Sequence, residues 1–369
     1  MRVLHLIKSE GVYGAERILL YLALEQQRAG EAPYLGSIGA PGCAAPAIEA
    51  LARAWQLPVL PLRVPRLPTP GAVRTLLAAA REVGADVLHS HGFKSNVLLG
   101  PLARDRRPPM LSTLHGWTAG AAWSRLALYE ALDRWALRRI ESVAVVTRAM
   151  LELPAVRALP AQRVRVIENG VPEPGQRAQL AQLTHAPLPE SLLARMRERP
   201  TLLAIGRLSV EKGFDELIAA FAAARSAGPH QLLIVGEGPE EARLRQRVSA
   251  LGLTEDVHLT GYVEGADRLL THAAGLVMSS RTEGMPVVLL EAMQAGIPVI
   301  ATAVGAIPQL LEQGRGGELV ASGDRAALSE ALRRLIGGAG SAPAGADLRA
   351  RFSSARMARE YLDAYRAIT

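Results

Sequence analysis

Short runs of β-favouring apolar residues alternate along this chain with longer stretches of helical period. That alternation restricts the fold to parallel sheets joined by crossover helices. In the first half the expected strands are 3–7, 87–89, 110–114, 143–147 and 164–167, with helices near 14–28, 71–82 and 124–139. In the second half strands fit 202–205, 232–235, 257–259, 276–278 and 299–301, and helices fit 214–225, 240–251, 287–295 and 325–336. Between the halves, residues 172–200 are broken by proline and glycine and read as an interdomain connection with a short helix near 191–199. The length of 369 residues predicts two domains or slightly more at roughly 150 residues each. The expectation is two Rossmann-like domains, 1–172 and 173–347, then a loop over 337–346 and a last helix over about 348–369. Ligand sites on such sheets lie at the carboxyl ends of the strands.

Composition removes several classes of function. Apolar residues make up 49% and charged residues 21%, the profile of a packed chain and not a disordered one. The single cysteine, Cys43, excludes a disulfide scaffold and a thiolate metal cluster. Aromatics at 4% are too few for base-stacking platforms, so nucleic acid is not the expected partner. No uninterrupted apolar stretch reaches the roughly eighteen residues of a membrane span; the best run, 286–304, is broken by Glu291, Gln294 and Pro298. The apolar start meets Lys8 too soon for a signal-peptide core and reads as a buried first strand, so a cytoplasmic location is expected. Residues 1–175 carry 21 basic and 14 acidic side chains, and so hold the whole net charge of +7. A basic half suits an acidic partner, whether a phospholipid surface, a phosphorylated acceptor or nucleic acid, although an arginine-rich solvated face would have the same composition.

Three loops carry chemistry. In 206–213, straight after an apolar strand, Arg207 and Lys212 lie five positions apart at a helix start. Cations there are unfavourable without an anion, and the helix N–H groups add positive potential, so the loop suits a diphosphate. The Gly-x4-Gly-Lys-Ser/Thr pattern of a P-loop is absent. In 283–291, Glu283 precedes a helix and Glu291 lies about two turns into it, roughly 12 Å further along the axis. That is about the span from sugar to ribose in a nucleotide sugar, and carboxylates accept well from hydroxyls. The blander reading is a dipole-favoured Glu and a solvated Glu, but Glu291 sits in an otherwise apolar segment. In 11–17, Gly11 and Gly14 let a ligand approach a helix start, or simply make a tight turn; 236–239 is a similar short turn. His89, His91 and His115 end strands of the first half without the spacing of a helical zinc pair, and a lone histidine is ordinarily structural. None of the nine Asp residues forms an Asp-x-Asp pair to hold a metal on a diphosphate. Arg207, Lys212 and helix N–H groups would then do the neutralising.

Taken together, residues 14–17, 86–92, 166–170, 206–213, 235–239, 259–262 and 283–298 resemble the retaining glycosyltransferases of family 4. The resemblance spans most of the chain, and its most specific part is the Arg-x4-Lys followed by Glu-x7-Glu. It implies the GT-B fold, two Rossmann-like domains with parallel sheets facing a central cleft. The first domain would bind the acceptor and the second the nucleotide sugar, with the final helix crossing back to the first. Arg207 and Lys212 would hold the donor diphosphate and, with His115 and Glu283, form the catalytic group. Glu291 would bind the ribose, Glu283 with Gly284 and Met285 the donor sugar, and Gly236, Tyr262 and Val263 the nucleobase. His115 would sit by the sugar, and Gly14 would let the diphosphate approach the first domain. Where the family loop often reads Gly-Gly, this chain has Tyr13 and Gly14.

The resulting expectation is a metal-independent transfer to an acceptor hydroxyl with retained anomeric configuration and no cofactor beyond the donor. That donor is expected to be a uridine diphosphate sugar first and a guanosine diphosphate sugar second. The acceptor would be lipid-linked or a saccharide, as in envelope polysaccharide, lipopolysaccharide or glycolipid synthesis at the inner face of the cytoplasmic membrane. A nicotinamide oxidoreductase would need a full Gly-x-Gly-x-x-Gly fingerprint, which neither half shows. A sugar-nucleotide epimerase of the same two-domain shape stays open as an alternative, as does a non-enzymatic protein binding an anionic surface or nucleic acid.

Overall fold

The central apolar runs become strands buried on both faces, as a parallel sheet covered by helices requires. A computed structural model describes residues 1–9, 11–65, 67–116, 125–184, 187–340 and 344–369, the side chains of 125–129 excepted. The chain divides into two compact units, Met1–Pro172 with Phe352–Thr369, and Glu173–Arg351. The first holds β1 (Arg2–Lys8), β2 (Ala32–Gly39), β3 (Val59–Arg63), β4 (Val87–Ser90), β5 (Met110–Leu114), β6 (Ser142–Val145) and β7 (Val164–Val166). They form one sheet in the order β3-β2-β1-β4-β5-β6-β7, every pair parallel. The second holds β8 (Thr201–Ile205), β9 (Gln231–Val235), β10 (Val257–Gly261), β11 (Gly275–Met278), β12 (Val299–Thr302) and β13 (Glu318–Val320). Their order is β10-β9-β8-β11-β12-β13, again all parallel. Both sheets are therefore Rossmann-like, with strand order reversing beside β1 and β4 in one and beside β8 and β11 in the other. At such a reversal the two flanking crossovers leave on opposite faces and open a crevice at the carboxyl ends.

The helices Gly14–Arg28, Val287–Ala295 and Arg325–Ile336 match the sequence expectation residue for residue. The expected helix start at Ser124 lies outside the described residues. Pro286 is the cap before the helix Val287–Ala295, one place earlier than the first helical turn, and Gly296 ends that helix in the left-handed region. Three strands escape the sequence reading: β2 carries Pro33, Gly36 and Gly39, β3 carries Pro61, and β13 is only three residues long. Each lies at or next to a sheet edge, where proline and glycine are tolerated.

The last helix is a correction. It is not continuous over 348–369 but forms two helices, Ala346–Arg351 and Ser354–Arg366, the first in the second unit. At the break Ser353 is extended, bridges in parallel to Val171, and caps the second helix through Arg356 N–H. A serine that bonds the backbone at a helix start competes with helix continuation, which is why the chain changes units there. The second helix packs on Gly14–Arg28 and buries Tyr361 and Tyr365 in the first unit. Among the described residues no helix is long and apolar enough to cross a membrane.

Candidate active site

The reversal point of the second sheet is walled by loop 206–213 after β8 and loop 279–286 after β11. Backbone contacts stitch these loops together. Arg281 N–H donates to the Glu211 carbonyl at 2.7 Å, and Ser279 Oγ to the Lys212 carbonyl at 3.0 Å. The approach is close enough to need glycine. Gly213 has φ +63°, and a Cβ there would overlap the Ser279 carbonyl. Gly305, at φ +56° in the loop after β12, presses in the same way on the Glu283 carbonyl.

On this frame Lys212 Nζ donates to Glu283 Oε1 at 2.6 Å, and Ser280 Oγ donates to the same oxygen at 2.7 Å. Thr302 Oγ1, from the end of β12, in turn donates to the Ser280 carbonyl at 2.5 Å. The Glu283 side chain is 9% exposed and that of Lys212 24%, so the pair attracts more strongly than a solvated one would. Arg207 is exposed on the same loop as Lys212. Gly284 accepts from Ala306 N–H at 3.2 Å, and Met285 is buried beneath it. Gly236 donates to the Gly261 carbonyl at 2.9 Å, which sets the turn after β9 beside exposed Tyr262 and buried Val263. Glu291 is buried in the helix Val287–Ala295, and its carbonyl accepts from Arg177 Nη2 at 3.2 Å. Arg177 had no signal in the sequence, because a lone arginine in a linker helix looks solvated.

Two expected site residues belong to the first unit. Gly14 opens its helix behind exposed Tyr13, whose N–H donates to Glu16 Oε2 at 3.1 Å. His115 follows β5 and is half-buried, with Nε2 at 3.0 Å from His91 Nδ1. Burial pushes its imidazole down to about 4, so it is neutral at pH 7. Behind it His5, His89 and His91 bring ring nitrogens within 4.8 Å of one another, a spacing that a metal ion would accept. Every ring nitrogen of these three already faces a side-chain partner: His5 with Gln26 and His91, His89 with Thr113 and Tyr365, and His91 with His5 and His115. A metal would have to displace those bonds, so the cluster is a hydrogen-bonded network. The sequence reading missed His5 and Gln26, since one histidine in an apolar strand and one glutamine on a helix carry no motif.

A cavity of about 840 Å³ lies elsewhere in the second unit, lined by Arg177, Gln182, Leu188, Asp267 and His272 among others. His272 in its wall precedes β11, at the amino end of the strand, so this space is separate from the paired loops.

Comparison with known proteins bears on these loops. The family model for glycosyl transferases group 1 matches residues 199–337, and that for glycosyltransferase family 4 matches residues 12–173. A 2-deoxystreptamine glucosyltransferase of Streptomyces kanamyceticus is 29% identical over 286 residues, 72% of this chain and 71% of the relative. A 2-deoxystreptamine N-acetyl-D-glucosaminyltransferase of Streptomyces fradiae is 29% identical over 366 residues, 87% of this chain and 82% of the relative. Among solved structures, Anabaena Alr3699/HepE in complex with UDP-glucose shares the fold with a TM-score of 0.77 at 21% identity, over 100% of both chains.

Proposed function

Because the chain belongs to the group 1, family 4 glycosyltransferases of GT-B fold, we propose that it moves a sugar from a nucleoside-diphosphate sugar to an acceptor hydroxyl with retained anomeric configuration. The observation that carries this reading is the Lys212–Glu283 pair, at 2.6 Å across the reversal point of the second sheet. The Lys212 ammonium has three N–H donors and gives one to Glu283, which leaves two for phosphate oxygens. Arg207 adds a second cation on the same loop. Charges set in place before reaction are worth most where charge develops in the transition state, here on the departing diphosphate.

Glu283 accepts from a donor-sugar hydroxyl, with Gly284 and Met285 beside it, and Glu291 from the ribose hydroxyls. Gly236, Tyr262 and Val263 meet the nucleobase, Gly14 admits the phosphates to the first unit, and His115 meets the sugar. The bond from the anomeric carbon to the diphosphate oxygen breaks, and that oxygen takes the proton of the acceptor hydroxyl as the new glycosidic bond forms on the same face. Glu283 is a binding group in this scheme and not a nucleophile, its Oε1 already accepting from Lys212 Nζ and Ser280 Oγ. Arginine, lysine and N–H groups meet the leaving charge without a metal ion, so chelation is expected to leave the rate unchanged.

Support for a uridine diphosphate donor is the solved complex of Alr3699/HepE with UDP-glucose; a guanosine diphosphate sugar is the alternative donor. The first unit, with 24 basic and 15 acidic side chains, suits an acidic lipid-linked or saccharide acceptor of envelope synthesis. A thermal-shift screen against uridine, guanosine and adenosine diphosphate sugars tests the donor, because binding raises apparent stability by mass action. A selective shift with one nucleotide is expected; no shift with any of them would overturn the reading.

A further inference from the structure

Behind His115 runs a buried chain of polar side chains with no role in the transfer scheme above. Gln26, fully buried on the helix Gly14–Arg28, lies between β1 and the last helix. Its Nε2 donates to Tyr365 Oη at 3.2 Å, and its Oε1 faces His5 Nε2 at 2.8 Å. His5 Nδ1 is 3.0 Å from His91 Nε2, and His91 Nδ1 is 3.0 Å from His115 Nε2. The series ends there: among the described residues His115 Nδ1 makes no hydrogen bond.

Proton placement in such a series is not free. Burial holds His5 and His115 down to about 4 and His89 and His91 well below their usual range, so all four are neutral at pH 7. A neutral imidazole has one N–H and one lone pair. Three in a row must therefore point the same way, because any reversal sets two N–H groups or two lone pairs face to face in a buried site. The amide decides the direction. With Oε1 on His5, the protons sit on Nε2 of His5, His91 and His115 in turn, and a lone pair is left on His115 Nδ1. The opposite amide orientation would reverse all three.

A side branch gives the amide N–H its acceptor. Tyr365 Oη, accepting from Gln26, has its own hydrogen for His89 Nδ1 at 2.6 Å; His89 Nε2 then donates to Thr113 Oγ1 at 2.8 Å, which is 2.8 Å from Tyr361 Oη. Both tyrosines come from the helix Ser354–Arg366, so the far end of the chain helps orient a residue near its start.

We propose that Gln26, His5 and His91, braced by Tyr365, are positioning residues that lock His115 as the Nε2–H tautomer, so that its Nδ1 meets the donor sugar only as an acceptor from a hydroxyl. The sugar contact rests on the proposed transfer reaction, whereas the tautomer assignment stands on the first unit alone. The role fits the general pattern in which the partner of one ring nitrogen decides the state of the other.

The experiment has two readouts. In the full chain labelled with [15N]histidine, the signal that disappears in His115→Gln identifies His115. It is expected to show a protonated Nε2 and an unprotonated Nδ1. Tyr365→Phe, which keeps the buried ring and removes the amide's anchor, is expected to give a mixture of both tautomers. A wild-type His115 that is protonated at Nδ1, or a Tyr365→Phe spectrum like that of wild type, overturns the proposal. The second readout is kinetic. Gln26→Leu is expected to lower kcat/KM for the intact donor about threefold to tenfold, the worth of one hydrogen bond. One monodeoxy donor of a positional panel is expected to be slow with wild type and indifferent to Gln26→Leu. Equal loss on every donor contradicts an acceptor role, as a general packing defect would produce it. If no nucleotide sugar binds at all, the transfer reading fails, and the wild-type spectrum still decides the tautomer.

Discussion

Lys212 and Glu283 are 71 positions apart in sequence, yet they share a 2.6 Å ion pair because two loops are held backbone to backbone. Gly213 is the residue that permits it, with φ +63° and no room for a Cβ against the Ser279 carbonyl. Gly213→Ala is expected to cost more than about 1 kcal/mol of stability, since both the backbone angle and the contact oppose it. Urea unfolding measures this, and an unchanged midpoint would show that the loops are free to separate. The same substitution is expected to lower transfer even at temperatures where the fold is intact, because it moves Lys212 relative to Glu283. Positions 207, 212, 283 and 291 were singled out in the sequence by their spacing together with the family resemblance, and the structure brings Lys212 and Glu283 of these together. Their support was not. Ser280, Thr302 and Gly305 act through contacts with distant loops, and a single short polar residue gives no periodic or motif signal.

At the scale of elements, the sheets were legible where strands are central and apolar, and illegible at the edges. β1, β4 and β5 are buried over most of their length, so their composition announces them. β3 tolerates Pro61 as an edge strand with one parallel neighbour, and β2 tolerates Gly36 because parallel neighbours on both sides supply its register. The polar clamp between β5 and β6 was equally hidden. Arg107, with 1% of its side chain exposed, donates to Glu141 Oε2 at 2.8 Å, and the same oxygen accepts from Met110 N–H at 2.9 Å. Burial alone would raise the Glu141 carboxyl, but Arg107 and the Met110 N–H together hold it below its usual range. Arg107→Leu leaves that buried carboxylate with only the exposed Arg104 and the Met110 N–H as partners, and is expected to cost somewhat less than the about 3–5 kcal/mol of a fully unpaired buried charge. The sign for pH follows: a carboxyl lowered in the folded state stabilises fully above its unfolded pKa, and that contribution is lost as pH falls through the folded value. Acid titration of stability is therefore expected to be shallower below pH about 4.5 in Arg107→Leu than in wild type; parallel curves would contradict the clamp.

For the whole molecule, the two units differ in charge and in buried histidine. The first carries 24 basic and 15 acidic side chains, the second 18 and 20. Co-sedimentation of the protein with acidic lipid vesicles, lost at high salt, is expected if that excess faces a membrane; no binding at low salt would remove the membrane from the account. The first unit also holds His5, His89, His91 and His115 neutral, while among the described residues of the second the half-buried His230 and His258 are pushed down by burial and nearby arginines. A base lowered in the folded state binds protons more readily when unfolded, so folding weakens as pH falls below about 6.5 and continues to weaken toward about 4. Calorimetry at pH 5 is expected to lower the unfolding temperature of the first unit more than that of the second; the reverse order would show that the histidines are not buried neutral. In the proposed reaction the paired loops of the second unit grip a nucleoside-diphosphate sugar through Lys212 and its neighbours. Its most direct test is steady-state transfer by Lys212→Ala, with the donor named by the thermal-shift screen and the fold checked by circular dichroism. The expected result is a loss in kcat of about a hundredfold or more, the usual effect of removing a preorganised charge, in a protein that unfolds normally. Turnover within a few-fold of wild type would contradict it.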